Sequence, residues 1–180
     1  MNGMGKKLLQ NFLMEVEHGE APYLISDGAE LAYLAQQVNN GNYYEGQYFQ
    51  LACDINLGNQ EWTPIGDTDN SFRGIFDGAG HTIANGKITI TEFPGSYTYH
   101  AYGLFGSIGG GSTRTIIRNL EVSDFSIDLD TSGTASNYRG IHIGIIVGNV
   151  YNNASIVNNI AKNSNITDST YFQIRNSYFQ

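Results

Sequence analysis

Gly74-Ile75-Phe76-Asp77, followed by Ile83-Ala84-Asn85-Gly86-Lys87-Ile88, decides the fold because the pair of words recurs. Gly103-Leu104-Phe105-Gly106 is followed by Ile117-Arg118-Asn119-Leu120-Glu121-Val122, and Ile145-Ile146-Val147-Gly148 by Ile156-Val157-Asn158-Asn159-Ile160-Ala161. The shared pattern is a Gly-containing apolar tetrad, a variable turn, then Ile-x-Asn-x-x-apolar, whose last position shrinks to Ala in the third copy. One such unit cannot bury its own apolar face, whereas stacked units enclose a continuous narrow core. Glycine suits the sharp turns between strands, and Asn85, Asn119 and Asn158 suit corners that need a left-handed backbone. The pattern predicts an all-β solenoid, a parallel β-helix, with a two-sheet sandwich as the alternative. It aims Ile83, Ile88, Ile117, Leu120, Val122, Ile156 and Ile160 into one core. The spacing is uneven, 34 residues from Ile83 to Ile117 and 39 from Ile117 to Ile156.

Upstream of the repeats the period changes. Leu31, Leu34, Ala35 and Val38 fall at i, i+3, i+4 and i+7, the spacing of one helix face. Asp27 with Glu30 makes a capping box, and Asn39-Asn40-Gly41 supplies a stop. Residues 23–44 are therefore expected to form a helix that caps the solenoid, since an uncovered end leaves strand edges and core open to water. Residues 1–22 form a separate segment, an amphipathic helix or linker, with Leu8, Leu9, Phe12, Leu13 and Val16 on one face. Lys6-Lys7 before Leu8-Leu9 has the order of a signal peptide, but Gln10 and Asn11 break the apolar run and no small-residue cleavage site follows. Residues 45–180 are assigned to the coils. No capping device appears at the C-terminal side, where residues 171–180 read as another strand of a longer solenoid. Tyr178-Phe179-Gln180 also matches the tail of a common protease tag.

Composition narrows the function classes. Of the 180 residues 41% are hydrophobic but only 14% charged, and 22 Gly, 12 Tyr and 9 Phe fit turns and strands. A net charge of -8 repels phosphate backbones and anionic lipid, which argues against nucleic-acid partners. Cys53 is the one cysteine, so no internal disulfide framework exists. Its place in the alternation Leu51, Cys53, Ile55 predicts a buried, inert thiol. No apolar run approaches the roughly 18 residues of a membrane span.

From Tyr23 to about Asn165 the chain resembles bacterial surface proteins with pectate-lyase-like β-helices, whose coils often carry the GLUG motif. The words that carry the likeness are Tyr23-Leu24-Ile25-Ser26, Gly46-Gln47-Tyr48-Phe49-Gln50-Leu51 and Ala52-Cys53-Asp54-Ile55-Asn56-Leu57. More specific are Trp62-Thr63-Pro64-Ile65-Gly66, the run from Phe72 through Gly78-Ala79-Gly80-His81 to Ile83, and Gly103-Leu104-Phe105-Gly106. The resemblance implies a right-handed parallel β-helix in a secreted or cell-surface, adhesin-type protein that contacts glycans or host proteins without a shared catalytic site. Ile145 stands where that motif usually has a second Gly.

Asp77-Gly78-Ala79-Gly80-His81 resembles the Asp-Gly-x-Gly words of β-helix polysaccharide enzymes, but an Asp and two Gly between Phe76 and Ile83 are also what a tight turn needs, and the turn is preferred. Hydrolysis would require two carboxylates about 5–9.5 Å apart across the scissile bond. Asp67, Asp69, Asp124, Asp128 and Asp130 do not pair at equivalent repeat positions. For lyase chemistry Arg114, Arg118 and Arg139 are available, with Arg118 expected on an exposed face. A truncated polysaccharide lyase or glycoside hydrolase is thus the alternative to a binding module. No cofactor is expected; calcium is the one ion that Asp67-Thr68-Asp69-Asn70 and Asp128-Leu129-Asp130 would suit. His18, His81, His100 and His142 do not cluster. Residues 57–71, 92–102 and 128–143 each precede an apolar tetrad, and equivalent insertions project from one side of a solenoid. They supply the candidate ligand-binding set of Tyr97, Tyr99, His100, Tyr138, Arg139, His142 and Asp130, aromatic rings beside polar groups that suit a sugar face. Trp62, in the first insertion, is expected in the core.

Overall fold

The computed structural model describes residues 21–91, 99–130 and 140–168. The segment 1–20, the strand expected over 171–180, and Tyr97, Tyr138 and Arg139 of the candidate set lie outside the described residues.

The described residues form mostly parallel β-strands with one short helix. A first sheet holds β1 (Tyr23–Ile25), β2 (Tyr48–Leu51), β4 (Ile75–Asp77), β9 (Thr115–Arg118) and β14 (Ala154–Val157) in that order. The second sheet holds β3 (Ile55–Asn56), β5 (Thr82–Ala84), β10 (Glu121–Ser123) and β15 (Ile160–Lys162), and the third β6 (Lys87–Ile90), β11 (Ser126–Leu129) and β16 (Asn165–Asp168). Two pairs complete the set, β7 (Tyr99–Tyr102) with β12 (Gly140–Ile143) and β8 (Phe105–Ile108) with β13 (Val147–Val150). Every strand pairing is parallel, and neighbours in a sheet come from one visit of the chain to the next.

In-register apolar stacks fill the interior. Phe49, Phe76 and Ile117 align in the first sheet, Ile55, Ile83 and Val122 in the second, Ile88 and Ile127 in the third, and all are buried. Each such side chain contributes about 1.5–3 kcal/mol by leaving water. Phe72 links the walls, its ring centroid 6.0 Å from Phe49 and 5.6 Å from Phe105. Between the second and third sheets the chain turns on one left-handed residue per visit, Asn85, Asp124 and Asn163. The residue after it in β10's turn, Phe125, lays its ring over Gly86, where a β-carbon would sit 2.2 Å from it.

The true register differs from the one the repeats suggest. Ile83 pairs with Val122 rather than aligning with Ile117, and Ile117 pairs with Phe76 and Ile156. From β5 and β6 onward, successive partners in the second and third sheets fall 39 residues apart (Ile83, Val122, Ala161; Ile88, Ile127, Ile166), whereas Ile55 and Ile83 fall 28 apart. The mismatch arises because four residues, Gly78–His81, join β4 to β5 where only Asn119 and Leu120 join β9 to β10. Likewise, Leu104-Phe105-Gly106 stacks on the Ile65 rung, because Ile65 bridges Phe105, which pairs with Val147. Thr63-Pro64-Ile65-Gly66 is therefore its counterpart, and Gly74-Ile75-Phe76-Asp77 belongs to another wall. Nor is 57–71 a projecting insertion: Glu61 bridges Lys87, and Trp62 is buried with its indole N–H donating to Leu104 O at 3.0 Å.

Helix α1 (Gly28–Asn39) starts at Asp27, whose carboxylate accepts from the Glu30 amide at 2.9 Å, while Glu30 reaches back to accept from the Ser26 amide. It is shorter than the expected 23–44 segment because Tyr23–Ile25 join the first sheet as β1. Leu31, Leu34, Ala35 and Val38 are buried in the same cluster as Ile25, Phe49 and Ile55. At its end, Asn39 accepts from the Gly66 amide and donates to Pro64 O, fastening the helix to the Ile65 rung.

Three expectations are corrected. Ile156 and Ile160 are 45% and 49% exposed, because among the described residues β14 and β15 have a partner on one side only. Cys53 is exposed, its thiol donating to Ser26 O at 3.0 Å, since β2 ends at Leu51 and the alternation stops there. Arg118 is largely covered and ion-paired rather than exposed, for reasons that belong to the site.

Candidate functional site

The candidate face rests on the pair β7–β12. Its register sets Tyr99 beside Gly140 and Ala101 beside His142. Because side chains alternate along a strand, Tyr99 and His142 share one side of the pair. Their rings lie 5.8 Å apart at 33°. Tyr99 is 47% exposed, and its ring rests on Gly140, where a β-carbon would come within 3.2 Å of two ring carbons. A glycine there leaves the ring room to lie against the neighbouring rung. The start of β7 is anchored from the previous rung, since Thr68 Oγ1 donates to Tyr99 O at 3.0 Å and Tyr151 Oη donates to Thr68 O at 3.1 Å.

The remaining members of the candidate set separate. His100 occupies the alternate side of β7, its ring stacked 6.4 Å from Tyr102. Tyr102 packs against the core, and burial raises its hydroxyl pKa. Asp130 follows β11, the central strand of the third sheet, and is exposed, with its amide donating to Ile90 O. The structure thus brings together Tyr99 and His142, and places His100 and Asp130 elsewhere. The segments 92–98 and 131–139 are each bracketed by paired strands, β6 with β11 before them and β7 with β12 after them.

A second polar centre, on the side of the first sheet away from its core, went unrecognised in the sequence. Asp77 is 3% exposed and accepts four hydrogen bonds: from Tyr48 Oη (3.2 Å), Arg118 Nε (2.8 Å), the Ala79 amide (2.8 Å) and Asn119 Nδ2 (3.0 Å). Burial, and then the Asp77 charge, push the Tyr48 hydroxyl up to about 12. Asn158 Nδ2 extends the row, donating to Asn119 Oδ1 at 2.8 Å. Asn119 and Asn158 are therefore the equivalent corner residues, while Asn85 sits at another corner and donates to Asn56 Oδ1. With its oxygens taken up by four donors, the Asp77 carboxylate links neighbouring strands of the first sheet. The signal that finds it is the alignment of Ile75-Phe76-Asp77 with Ile116-Ile117-Arg118, which a shifted register hides.

Other carboxylates are also engaged locally. Asp67 accepts from the amides of Asp69 and Asn70, the bonding of a tight turn, and Asp128 accepts from Thr167 Oγ1. Asp54 accepts from the Thr82 amide and lies 3.1 Å from His81 Nδ1; these bonds lower its pKa. Glu45 accepts from the amides of Ser112 and Thr113 and from Ser112 Oγ, which lowers its pKa to about 2. Among the described residues no three His, Cys, Asp or Glu side chains converge as a metal site, and no helix is long and apolar enough to cross a membrane.

No protein-family model and no solved structure matches the chain. A "Putative Gly-rich membrane protein" of Evansella cellulosilytica is 33% identical to it over 149 residues, which is 79% of this chain. The chain spans 14% of that relative's length.

Proposed function

We propose that the chain is a non-catalytic binding module of the adhesin type, carried by a longer extracellular or cell-surface protein and contacting glycans or surface proteins. Its architecture on this reading is a right-handed parallel β-helix with α1 as the N-terminal cap, related to bacterial surface proteins with GLUG-type repeats. The parallel sheets visited in rotation, the 39-residue step and the helix packed at the β1 end support that architecture. The name of the relative in Evansella cellulosilytica, with its far greater length, fits a module displayed from a membrane-attached chain.

The observation that carries the binding reading is the exposed Tyr99 ring with His142 beside it on paired rungs. A tyrosine face covers the C–H side of a sugar ring, while imidazole and phenol offer hydrogen bonds at its edge. Engagement of Asp54, Asp67, Asp77 and Asp128 in local bonds speaks for binding over hydrolysis, because a general acid or base needs a proton site free to reach substrate. The test is a glycan-array screen followed by calorimetry on the best ligand. Tyr99→Ala should weaken binding by at least about 1 kcal/mol, as loss of a buried aromatic anchor does, with the thermal midpoint little changed. Unchanged affinity in both Tyr99→Ala and His142→Ala would remove this face from consideration.

A further inference from the structure

The β1 end of the molecule carries an open groove of about 640 Å³ between β1 and α1, a volume within the ordinary range of small-molecule sites. Four rings stand in its walls, Tyr23, Tyr33, Tyr44 and Phe49. Its charged lining residues are Asp27 and Glu30, with no lysine or arginine among the described ones. Tyr23 is stacked on Phe49, centroids 5.2 Å apart at 26°, yet it is 55% exposed, so one face of a fixed ring is open to solvent. Tyr44 meets the same Phe49 edge-on at 5.0 Å. Its backbone is left-handed, with φ 51°, a conformation that a bulky side chain rarely adopts and that concentrates at ligand sites. Burial raises the Tyr44 hydroxyl pKa, and the phenols of Tyr33 and Tyr23 raise it further, so the three hydroxyls lie around one opening. Asp27 and Glu30 are exposed, and each gives one oxygen to a backbone amide, that of Glu30 and that of Ser26. A carboxylate accepts through both oxygens, so each keeps capacity for a ligand.

We propose that this groove binds an amino sugar, its ring lying on the open face of Tyr23 and its ammonium group meeting Asp27 and Glu30. The site is separate from the Tyr99 face and does not depend on it. Tyrosine faces take the C–H side of a sugar ring, while the phenol hydroxyls bond its hydroxyl groups. Charge then selects among sugars. An acidic sugar would bring a third negative charge to two carboxylates, whereas an ammonium brings the opposite sign. The chain's net charge of -8 acts in the same direction on approach. Tyrosine already holds a cation elsewhere in this chain, since the Arg73 guanidinium sits 4.0 Å from the centroid of Tyr43. A lysine side chain of a partner protein would satisfy the carboxylates alone. The three hydroxyls favour a ligand that is itself polyhydroxylated.

The test titrates the isotopically labelled full chain with a glucosamine trimer, under slightly acidic conditions that keep its amines charged, and measures affinity by calorimetry. Amide shifts should move at residues 23–34 and at Tyr44. N-acetylation of the trimer should weaken binding at least about fivefold, and a galacturonic acid trimer should not bind. Tyr33→Ala, at an exposed position, should weaken binding at least about fivefold. Glu30→Gln, which keeps an oxygen for the Ser26 amide, should weaken it about threefold and reduce its sensitivity to salt. No saturable binding, equal affinity for the N-acetylated trimer or for trilysine, or unchanged affinity in both variants would overturn the proposal. Shifts confined to Tyr99 and His142 would overturn it as well, while leaving the Tyr99 face standing.

Discussion

Asp77, part of an Asp-Gly-x-Gly word in sequence, is held in the structure by four hydrogen-bond donors. It is buried, and its partner Arg118 is nearly so, with a side chain 21% exposed. Removing one member of such a pair strands the other; fully buried cases cost about 3–5 kcal/mol, and partial access of Arg118 to water sets the expectation for Asp77→Ala at the lower end. Urea unfolding would measure it. Asp77→Asn keeps one acceptor oxygen but turns the other position into a donor that faces Tyr48 and Arg118 or Ala79 and Asn119, so it should also destabilise the fold. Glu45 provides a pH test. Its ordinary pKa of 4.5 is lowered to about 2 in the folded chain, first by the Ser112 hydroxyl and then by the Thr113 and Ser112 amides. A depressed carboxylate stabilises the fold above the unfolded pKa and loses that contribution as pH falls through the folded one. The gap in thermal midpoint between the natural protein and Glu45→Gln should therefore be full above about pH 4.5 and close as pH approaches about 2. None of this was legible residue by residue, because Glu45 and Ser112 stand 67 positions apart and only the stacking of rungs joins them.

At the scale of elements, burial separates strands that the repeat makes look alike. Ile117 is fully buried and pairs with Phe76 on one side and Ile156 on the other, whereas Ile156 itself is nearly half exposed. Ile117→Ala should cost about 2–5 kcal/mol, and Ile156→Ala less than about 1 kcal/mol; chemical denaturation of both variants tests the difference. The helix was readable to within its caps, because Asp27, Glu30 and the Leu31–Val38 stripe act within one element. The strands were readable as strands but not in register. Corner length depends on whether a turn such as Asp77–Thr82 takes extra residues, and nothing local announces that a neighbouring rung turns more tightly. The candidate face was half legible for the same reason: Tyr99 and His142 meet across paired strands, while alternation sends His100 to the other side.

The described residues are mostly parallel strands, and among them the hydrogen-bonded carboxylates are spread along the sheets. If the carboxylates serve as struts, incubation with pectic, alginate-like and mucin glycans should release neither unsaturated nor new reducing ends. Release abolished by Asp128→Ala in a folded protein would instead favour the lyase or hydrolase alternative. The acidic composition carries no record of which surface would meet a ligand. The 39-residue step has a further consequence. Parallel neighbours in a sheet lie about 4.8 Å apart, so each visit of the chain marks off a fixed length, whatever its side chains do. The stack is therefore a ruler: inserting a duplicate of one 39-residue visit between β11 and β16 would carry everything beyond it outward by about 4.8 Å, leaving the helical end untouched.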